Sequence, residues 1–445
     1  MAIELSNIIF TDQDDIVPSS GVEEIVNTGS ANTLAGNDVI TGTGSDNGFR
    51  NVGTLNTDDG NDIITGTGTI TGITISSPST FDTGEGNDRI SGGSVRDSGN
   101  FNSGIFNASF TFNTGDGNDT IEGNGRYGIY NQGLINTGNG KDRIIANGSS
   151  RGLSNTFTIN TGEDDDIITG MDSGISNNGN IDVGDGDDSI IANTYFPYSA
   201  ALRNFSGTIN TGNGNDIITS TSVIYNEEGV INTGNSISND FGTINTGNGQ
   251  DSIISVGNFT NRGGVFLGDG NDSIITEVDL PNRTLENFNA IETGDGDDII
   301  TSTGVLYNEG VINTGNGNDI ITGTGTGYGI YNNGGAINTG DGNDIIIANE
   351  GFESGPNSSG TWFLGEGEDY IKGFGSGDFY GGNGLDILEL TPGSYTVGIW
   401  GEGGELPIFT KGNQLMITSE FEILLAGGTV YDFASLTAGQ IIVVA

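Results

Sequence analysis

Isoleucine recurs along this chain in a fixed rhythm, and the polar residues between recur with it. The segment I-N-T-G-x-G-x-D-x-I repeats from end to end. Ile209–Ile218 and Ile312–Ile321 both read INTGNGNDII, and Ile337–Ile346 reads INTGDGNDII. The Asp of this segment falls at 38, 62, 88, 119, 142, 166, 188, 216, 251, 272, 298, 319, 344 and 369. The 331 residues from Asp38 to Asp369 hold 13 intervals of 21 to 35 residues, a mean period of 25.5. A period of this size in a Gly-rich chain predicts a solenoid. Each period carries a second marker, I-Y-N-x-G or a near relative, as in Ile129–Gly133, Leu306–Gly310 and Ile330–Gly334. One period thus holds three short extended pieces, ending in I-N-T, reading D-x-I-I, and carrying I-Y-N. Gly- and Asn-rich turns separate them.

Three such strands and three turns fill one coil. The expectation is an all-β fold, a parallel β-helix or β-solenoid of about 14 coils stacked about 4.8 Å apart. A two-sided β-roll is the alternative, and the tighter spacing of Asp369, Asp378 and Asp386 favours it over residues 364–389. Residues 1–26 read as an N-terminal cap, with Ile3, Leu5, Ile8, Ile9 and Phe10 covering the first core layer. Residues 27–389 are the repeats, and 390–445 a β-rich C-terminal cap with apolar runs at Leu415–Leu425 and Gly439–Val444. The gap from Asp216 to Asp251 contains an additional I-N-T-G at 231–234, read as an inserted part-coil or loop.

Composition narrows the function. Gly supplies 80 of 445 residues and hydrophobic residues only 33%, so a thick core is excluded; the regular Ile spacing argues equally against disorder. The chain has 59 acidic and 12 basic residues, a net charge of −47, and neither Cys nor His. Disulfides, Cys-based zinc sites and His-dependent hydrolysis are therefore excluded. A polyanion such as nucleic acid is repelled. No apolar run of transmembrane length occurs and Met1–Phe10 lacks signal-peptide character, so membrane insertion is not expected.

The candidate chemistry lies in the G-x-G-x-D turn. Gly lets backbone carbonyls converge, and Asp adds a carboxylate. Hard oxygen donors of that kind suit Ca²⁺, which takes six to eight of them. Strict matches end at Asp88, Asp119, Asp142, Asp188, Asp216, Asp251, Asp272, Asp298, Asp319, Asp344, Asp369 and Asp386, the candidate metal ligands. Asp38, Asp62 and Asp166 stand in copies that lack a Gly. Carboxylates stacked about 4.8 Å apart repel by about 0.9 kcal/mol in water and about 3.5 kcal/mol at an effective dielectric of 20, so bound cations would relieve the stack. The alternative is that Asp caps the turn through its own backbone. The Asn files, among them Asn131, Asn308 and Asn332 and also Asn136, Asn210 and Asn313, suit amide ladders along the stacking axis. Tyr127, Tyr130, Tyr225, Tyr307, Tyr328 and Tyr331 are candidates for a sugar-binding face or a covered corner.

On these turns the sequence resembles the RTX (hemolysin-type calcium-binding) repeat family, whose pattern is G-G-x-G-x-D-x-U-x with U a large apolar residue. Residues 381–389, GGNGLDILE, match it in full, while most copies carry Thr for the first Gly, as in Thr314–Asp319. The resemblance spans about residues 34–389, and departs from the family in having one such turn per long coil. It implies multiple Ca²⁺ held by the motif Asp and turn carbonyls. It also implies export by type I secretion with an uncleaved C-terminal signal. The tail, with Phe421–Leu424 and Tyr431–Thr437, looks like the C-termini of such cyanobacterial proteins. The expected function is that of a secreted, extracellular or cell-surface protein, structural or adhesive and not an enzyme. It would fold on calcium, self-associate into fibrils or layers, and belong to a surface layer or matrix, with surface polysaccharide as a further partner. The alternatives are a β-helix polysaccharide lyase and a glycan-binding module.

Overall fold

A computed structural model describes residues 2–18, 23–76, 79–95, 102–108, 110–196, 199–225, 231–233, 235–277, 283–355, 359–401 and 406–445. The described residues form two compact units, 1–247 and 248–445, each an all-β parallel solenoid. Among the described residues two single-turn 3-10 helices, Leu5–Asn7 and Phe433–Ser435, are the helical elements, and no helix is long enough and apolar enough to cross a membrane.

In the first unit each coil contributes one strand to each of three parallel ladders, as the three-piece period predicts. The first ladder contains Val39–Gly44 and Ile63–Gly68, in register with Ile40 beside Ile64. The second contains Asn47–Asn51 and Thr71–Ile75, with Phe49 beside Ile73. The third contains Thr54–Asn56 and Thr80–Asp82, with Leu55 beside Phe81. In two coils the first two strands merge into the single strands Thr120–Asn131 and Arg143–Asn155. The second unit repeats the scheme, for example Ile299–Ser302 beside Ile320–Gly323, Val305–Asn308 beside Ile330–Asn332, and Val311–Asn313 beside Ala336–Asn338.

Side chains alternate in and out along each strand, so each coil sends one large apolar residue per ladder inward. Ile121, Ile129 and Ile135 are all fully buried. Register stacks each of them on its counterpart: Ile121 on Ile144, Ile129 on Leu153 and Ile135 on Ile159. Fully burying such a side chain contributes about 1.5–3 kcal/mol, so the core is strong although one residue deep. Where the first and second strands of a coil face each other the core is thinner still. A Cβ at Gly66 would lie 2.3 Å from the Gly72 carbonyl oxygen, so this coil needs glycine here, while other coils carry the small residues Ala146, Ala192 and Ser220 at the same register position. That requirement accounts for Gly inside strands, where it is otherwise disfavoured.

The expected Asn ladders are present. Asn131 Nδ2 donates to Asn155 Oδ1 at 2.9 Å and to the Thr158 carbonyl at 3.0 Å, and Asn155 Nδ2 donates to Asn177 Oδ1 at 2.9 Å. A second, shallower file runs through Asn113, Asn136 and Asn160.

The terminal segments belong to the stack. Ile3–Glu4 pairs in parallel with the strand Ile25–Asn27, and Ile16–Val17 with Val39–Gly44. Leu5 and Phe10 are buried as expected, but Ile9 is 92% exposed and covers nothing. At the other end Gln414–Ser419 pairs in parallel with Gly377–Gly384, and Ile423–Ala426 with Ile387–Leu390. The antiparallel strands Gly393–Trp400, Leu406–Lys411, Thr429–Asp432 and Ile441–Val444 are added to them. The additional I-N-T forms one arm of an antiparallel hairpin, with Ile231–Thr233 against the end of Ile217–Tyr225.

Glycine at the turn has a separate backbone role. Gly84 and Gly86 take φ of +91° and +139°. In the degenerate copies Leu34, Asp58 and Asp164 stand at these places with φ of +68°, +59° and +82°. The left-handed conformation costs an L-residue roughly 1–2 kcal/mol. Leu34→Gly is therefore expected to stabilise the protein by about 1 kcal/mol, after part of the gain is lost to the greater freedom of unfolded glycine. Equilibrium denaturant unfolding of the two proteins measures it; an unchanged or lower midpoint contradicts the account.

Candidate functional site

Each turn begins with an inward residue, usually Thr, and ends with an inward Asp. The Asp residues of successive coils form one file in each unit. Asp62 N–H donates to Asp88 Oδ1, Asp88 N–H to Asp119 Oδ1 and Asp119 N–H to Asp142 Oδ1, each at 2.7 Å. The file continues through Asp166 and Asp188 to Asp216. In the second unit Asp251 N–H donates to Asp272 Oδ1, and the chain passes through Asp298, Asp319, Asp344 and Asp369 to Asp386.

All twelve predicted ligands therefore lie in these two files, and each is at most 2% exposed. Three further members, Asp38, Asp62 and Asp166, come from the copies lacking a Gly and are equally buried. Their register within the repeat identifies them despite the missing Gly. Asp378 is outside the file: it lies in the third ladder, paired with Thr361. At the far end Glu422 Oε2 accepts the Asp386 N–H at 2.8 Å, a closing member that no repeat signal marks.

The second oxygen of these carboxylates is the distinctive feature. Oδ2 of Asp38, Asp62, Asp88, Asp119, Asp142, Asp166, Asp188, Asp272, Asp298, Asp319, Asp344, Asp369 and Asp386 is buried. At Asp188, Asp272, Asp369 and Asp386 no side-chain donor reaches it, whereas in turns such as those of Asp88 and Asp142 the inward Thr hydroxyl lies against the carboxylate and partly offsets the effect of burial. The same Thr hydroxyl also reaches the next coil; Thr83 Oγ1 donates to the Thr114 carbonyl at 3.1 Å, and Thr57 Oγ1 to the Thr83 carbonyl at 3.0 Å. In the turns of Asp188, Asp272 and Asp369 the inward residue is Val183, Leu267 or Leu364, all fully buried, which brings no hydroxyl. A buried charged oxygen without a partner is costly.

Burial accordingly raises the acidities of the file. It pushes Asp142 and Asp188 up to about 8, and Asp62, Asp88, Asp272, Asp298 and Asp369 up to about 7. Asp119, Asp166, Asp344 and Asp386 rise to about 6. Desolvation is the main cause in every case, and neighbouring carboxylates add to it, as Asp119 does at Asp88.

Backbone oxygens are further oxygen atoms in the same turns. The carbonyls of Gly84, Gly86, Gly115 and Gly117 accept no hydrogen bond. They are turned toward the next coil, since a Cβ on Gly115 would lie 1.6 Å from the Gly84 oxygen and one on Gly117 1.7 Å from that of Gly86. Among the described residues no three carboxylates gather to hold an ion by themselves, so any ion here needs these carbonyls as well. The donors are all hard oxygens, the set that Ca²⁺ prefers.

Outside the file the turn carries exposed polar residues in files of their own. Asn118 N–H donates to Asn87 Oδ1 and Lys141 N–H to Asn118 Oδ1, both at 2.7 Å, and Lys141 is ion-paired with Asp165. The tyrosines cluster in two places. Tyr130 stacks on Phe106 at 5.4 Å and meets Tyr127 at 5.6 Å, beside a cavity of about 490 Å³. Tyr331 meets Tyr307 at 5.2 Å and Tyr328 at 6.0 Å, and Tyr307 is buried, so the second group covers a corner. The Tyr225 side chain lies outside the described residues.

No family model and no curated protein matches this chain.

The raised acidities set a pH dependence for the protein in chelator. Folded Asp142 binds its proton up to about pH 8, whereas an unfolded Asp releases it near pH 4. Between those values the folded state holds more protons, so stability falls as pH rises. The melting temperature in chelator is expected to decrease from pH 4 to pH 8, and Asp142→Asn to reduce that slope. A melting temperature that rises with pH over this range contradicts the assignment.

Proposed function

We propose that the chain is a calcium-stabilised structural repeat protein of the RTX type. In this reading it is exported by type I secretion and folds outside the cell, where it serves in a surface layer, fibril or matrix. The observation that carries this reading is the file of buried carboxylates, in which the second oxygen of Asp188, Asp272, Asp369 and Asp386 is reached by no donor. A purely structural role for the turn needs one hydrogen-bonding oxygen per coil, which an Asn would supply without the charge. Retaining Asp along the file instead places a carboxylate in a desolvated corner, where a bound cation would offset the cost of its charge.

The residues fit the ion. Oδ2 of a file member such as Asp119 and the carbonyls of turn glycines such as Gly115 and Gly117 would hold it. When bound, calcium would supply the positive charge that stacked carboxylates need and link one coil to the next. Thr at the first motif position, where the family has Gly, places a hydroxyl against the carboxylate and uses the following Thr carbonyl, so the donor set rests on Asp and the two remaining glycines.

The biological logic follows from linkage. An ion that binds only the folded chain stabilises it by RT ln(1 + [Ca²⁺]/Kd), about 2.7 kcal/mol per site at a hundredfold excess over Kd. Micromolar or lower calcium would leave the chain exportable, and millimolar calcium would fold it. Surface proteins of this kind present long repetitive faces to one another, which is the basis for expecting self-association.

Circular dichroism and calorimetric melting with calcium and with chelator at pH 7.5 test the reading. Calcium is expected to raise the melting temperature and magnesium to do so far less. Asp119→Asn with Asp142→Asn is expected to weaken calcium binding while leaving the fold intact in excess calcium. Spectra and melting that ignore chelation would overturn the calcium assignment. Electron microscopy of the calcium-loaded protein tests assembly, which is rejected by dispersed single particles at all concentrations.

A further inference from the structure

Among the exposed side chains of the second unit, three large aromatic residues stand close together. Phe363 and Tyr380 are register neighbours in the third ladder, with rings stacked at 5.0 Å and 18°. They are 42% and 37% exposed. Trp400, 59% exposed, stands at the end of Gly393–Trp400, the strand that forms a hairpin with Leu406–Lys411. Tyr380 and Trp400 flank a cavity of about 430 Å³, lined also by Asp378, Leu406, Ser359 and Ser419. That volume falls within the roughly 300–1,000 Å³ of small-molecule sites.

The lining narrows the occupant. The strand Gly377–Gly384 pairs with Thr361–Gly367 on one side and Gln414–Ser419 on the other. Its backbone is thus engaged, and an added peptide strand finds no free edge there. Among the described residues the cavity presents the exposed rings of Tyr380 and Trp400 above the buried Phe379, the carboxylate of Asp378 and the hydroxyls of Ser359, Ser419 and Tyr380, and no basic side chain lines it. In a chain of net charge −47, such a cavity disfavours anions. A pyranose ring offers the matching chemistry: an apolar C–H face for an aromatic ring, and hydroxyls that donate to a carboxylate in charge-assisted hydrogen bonds.

We propose that this cleft binds a neutral saccharide, with a pyranose ring against Tyr380 and Trp400 and its hydroxyls donating to Asp378. Phe363 backs Tyr380 and fixes its plane. Uronates and sulfated sugars are rejected by the same carboxylate, so the site selects neutral glycans. The cleft uses no member of the carboxylate file. Failure of calcium binding would leave this site standing, and failure here would leave the calcium reading standing.

The test is a fluorescence titration of the full chain in calcium. Of the two tryptophans Trp362 is fully buried, so a ligand-dependent change that Trp400→Phe removes reports the cleft. The probes are the neutral hexamers of cellulose, amylose, laminarin and mannan, with hexagalacturonate as the anionic comparison. At least one neutral hexamer is expected to shift the emission. Tyr380→Ala and Asp378→Asn are each expected to weaken that binding about tenfold or more at unchanged melting temperature, and hexagalacturonate to give no shift. The proposal is overturned if no neutral hexamer shifts the emission, if both substituted proteins bind as the parent does, or if hexagalacturonate binds as tightly.

Discussion

Parallel, in-register stacking is the constraint on which the rest of this molecule depends. Each strand gives its backbone N–H and C=O groups to the coils on either side, so a side chain in the interior of a unit meets its own counterpart above and below. What a residue type does in such a file is decided by how it interacts with itself. Isoleucine stacks on isoleucine with no penalty, as Ile144 does between Ile121 and Ile168. Asparagine carries a donor and an acceptor, so Asn131 and Asn155 satisfy each other along the file. An ionised aspartate carries acceptors only. It accepts a neighbouring backbone N–H at one oxygen, and no side chain of its own file can donate to the other. The turn chemistry therefore follows from the stacking rule: the same geometry that completes an amide ladder leaves a carboxylate ladder incomplete.

The composition has the same origin. A core one residue deep needs few apolar side chains, so 33% hydrophobic content is compatible with a folded chain. Strands that approach as closely as those carrying Gly66 and Gly72 require glycine, and so do turns that reverse with positive φ. Together these demands explain why glycine, a weak strand former, is the most characteristic residue of this β protein. They also explain where variation is tolerated. Leu34, Asp58 and Asp164 replace glycine at a turn, where the cost is local strain, and the small residues Ala146, Ala192 and Ser220 replace it at the register position of Gly66.

Much of this was legible in the sequence because the repeat writes the same environment many times. The period, the three strands per coil, the inward isoleucines and the Asn ladders all follow from residue spacing. The side of the turn on which Asp lies did not follow, because the motif spacing alone does not say which way its carboxylate faces. Its burial depends on pairing between coils some 25 residues apart. Asp38, Asp62 and Asp166 belong to the file although their copies lack a glycine, since backbone register outweighs the preference of one residue for its φ. Glu422 escaped notice because it occurs once, beyond the repeats. Asp378 was drawn into the Asp series by spacing alone, and the ladder places it on another strand. The hairpin at Ile231–Thr233 shows the same limit in reverse, for there a familiar I-N-T pairs antiparallel.

The charge of −47 also takes on a different meaning once the file is seen to be buried. Formal counting treats every carboxylate as ionised, whereas burial holds Asp142 and Asp188 at about 8 and their neighbours at about 6 to 7. Without metal the folded file therefore draws protons from solution near neutrality, and this uptake opposes folding as the pH rises. A divalent ion at the same oxygens would displace those protons, so in the proposed reading calcium and hydrogen ions would compete for one set of atoms. The competition couples neighbouring turns, because each Asp is held by the backbone of the coil beside it, and ordering one turn positions the carboxylate of the next. Folding driven by calcium in such a stack would be cooperative along the file and would release protons. Its sharpness would come from the hydrogen-bonded Asp ladder as much as from the affinity of any single turn.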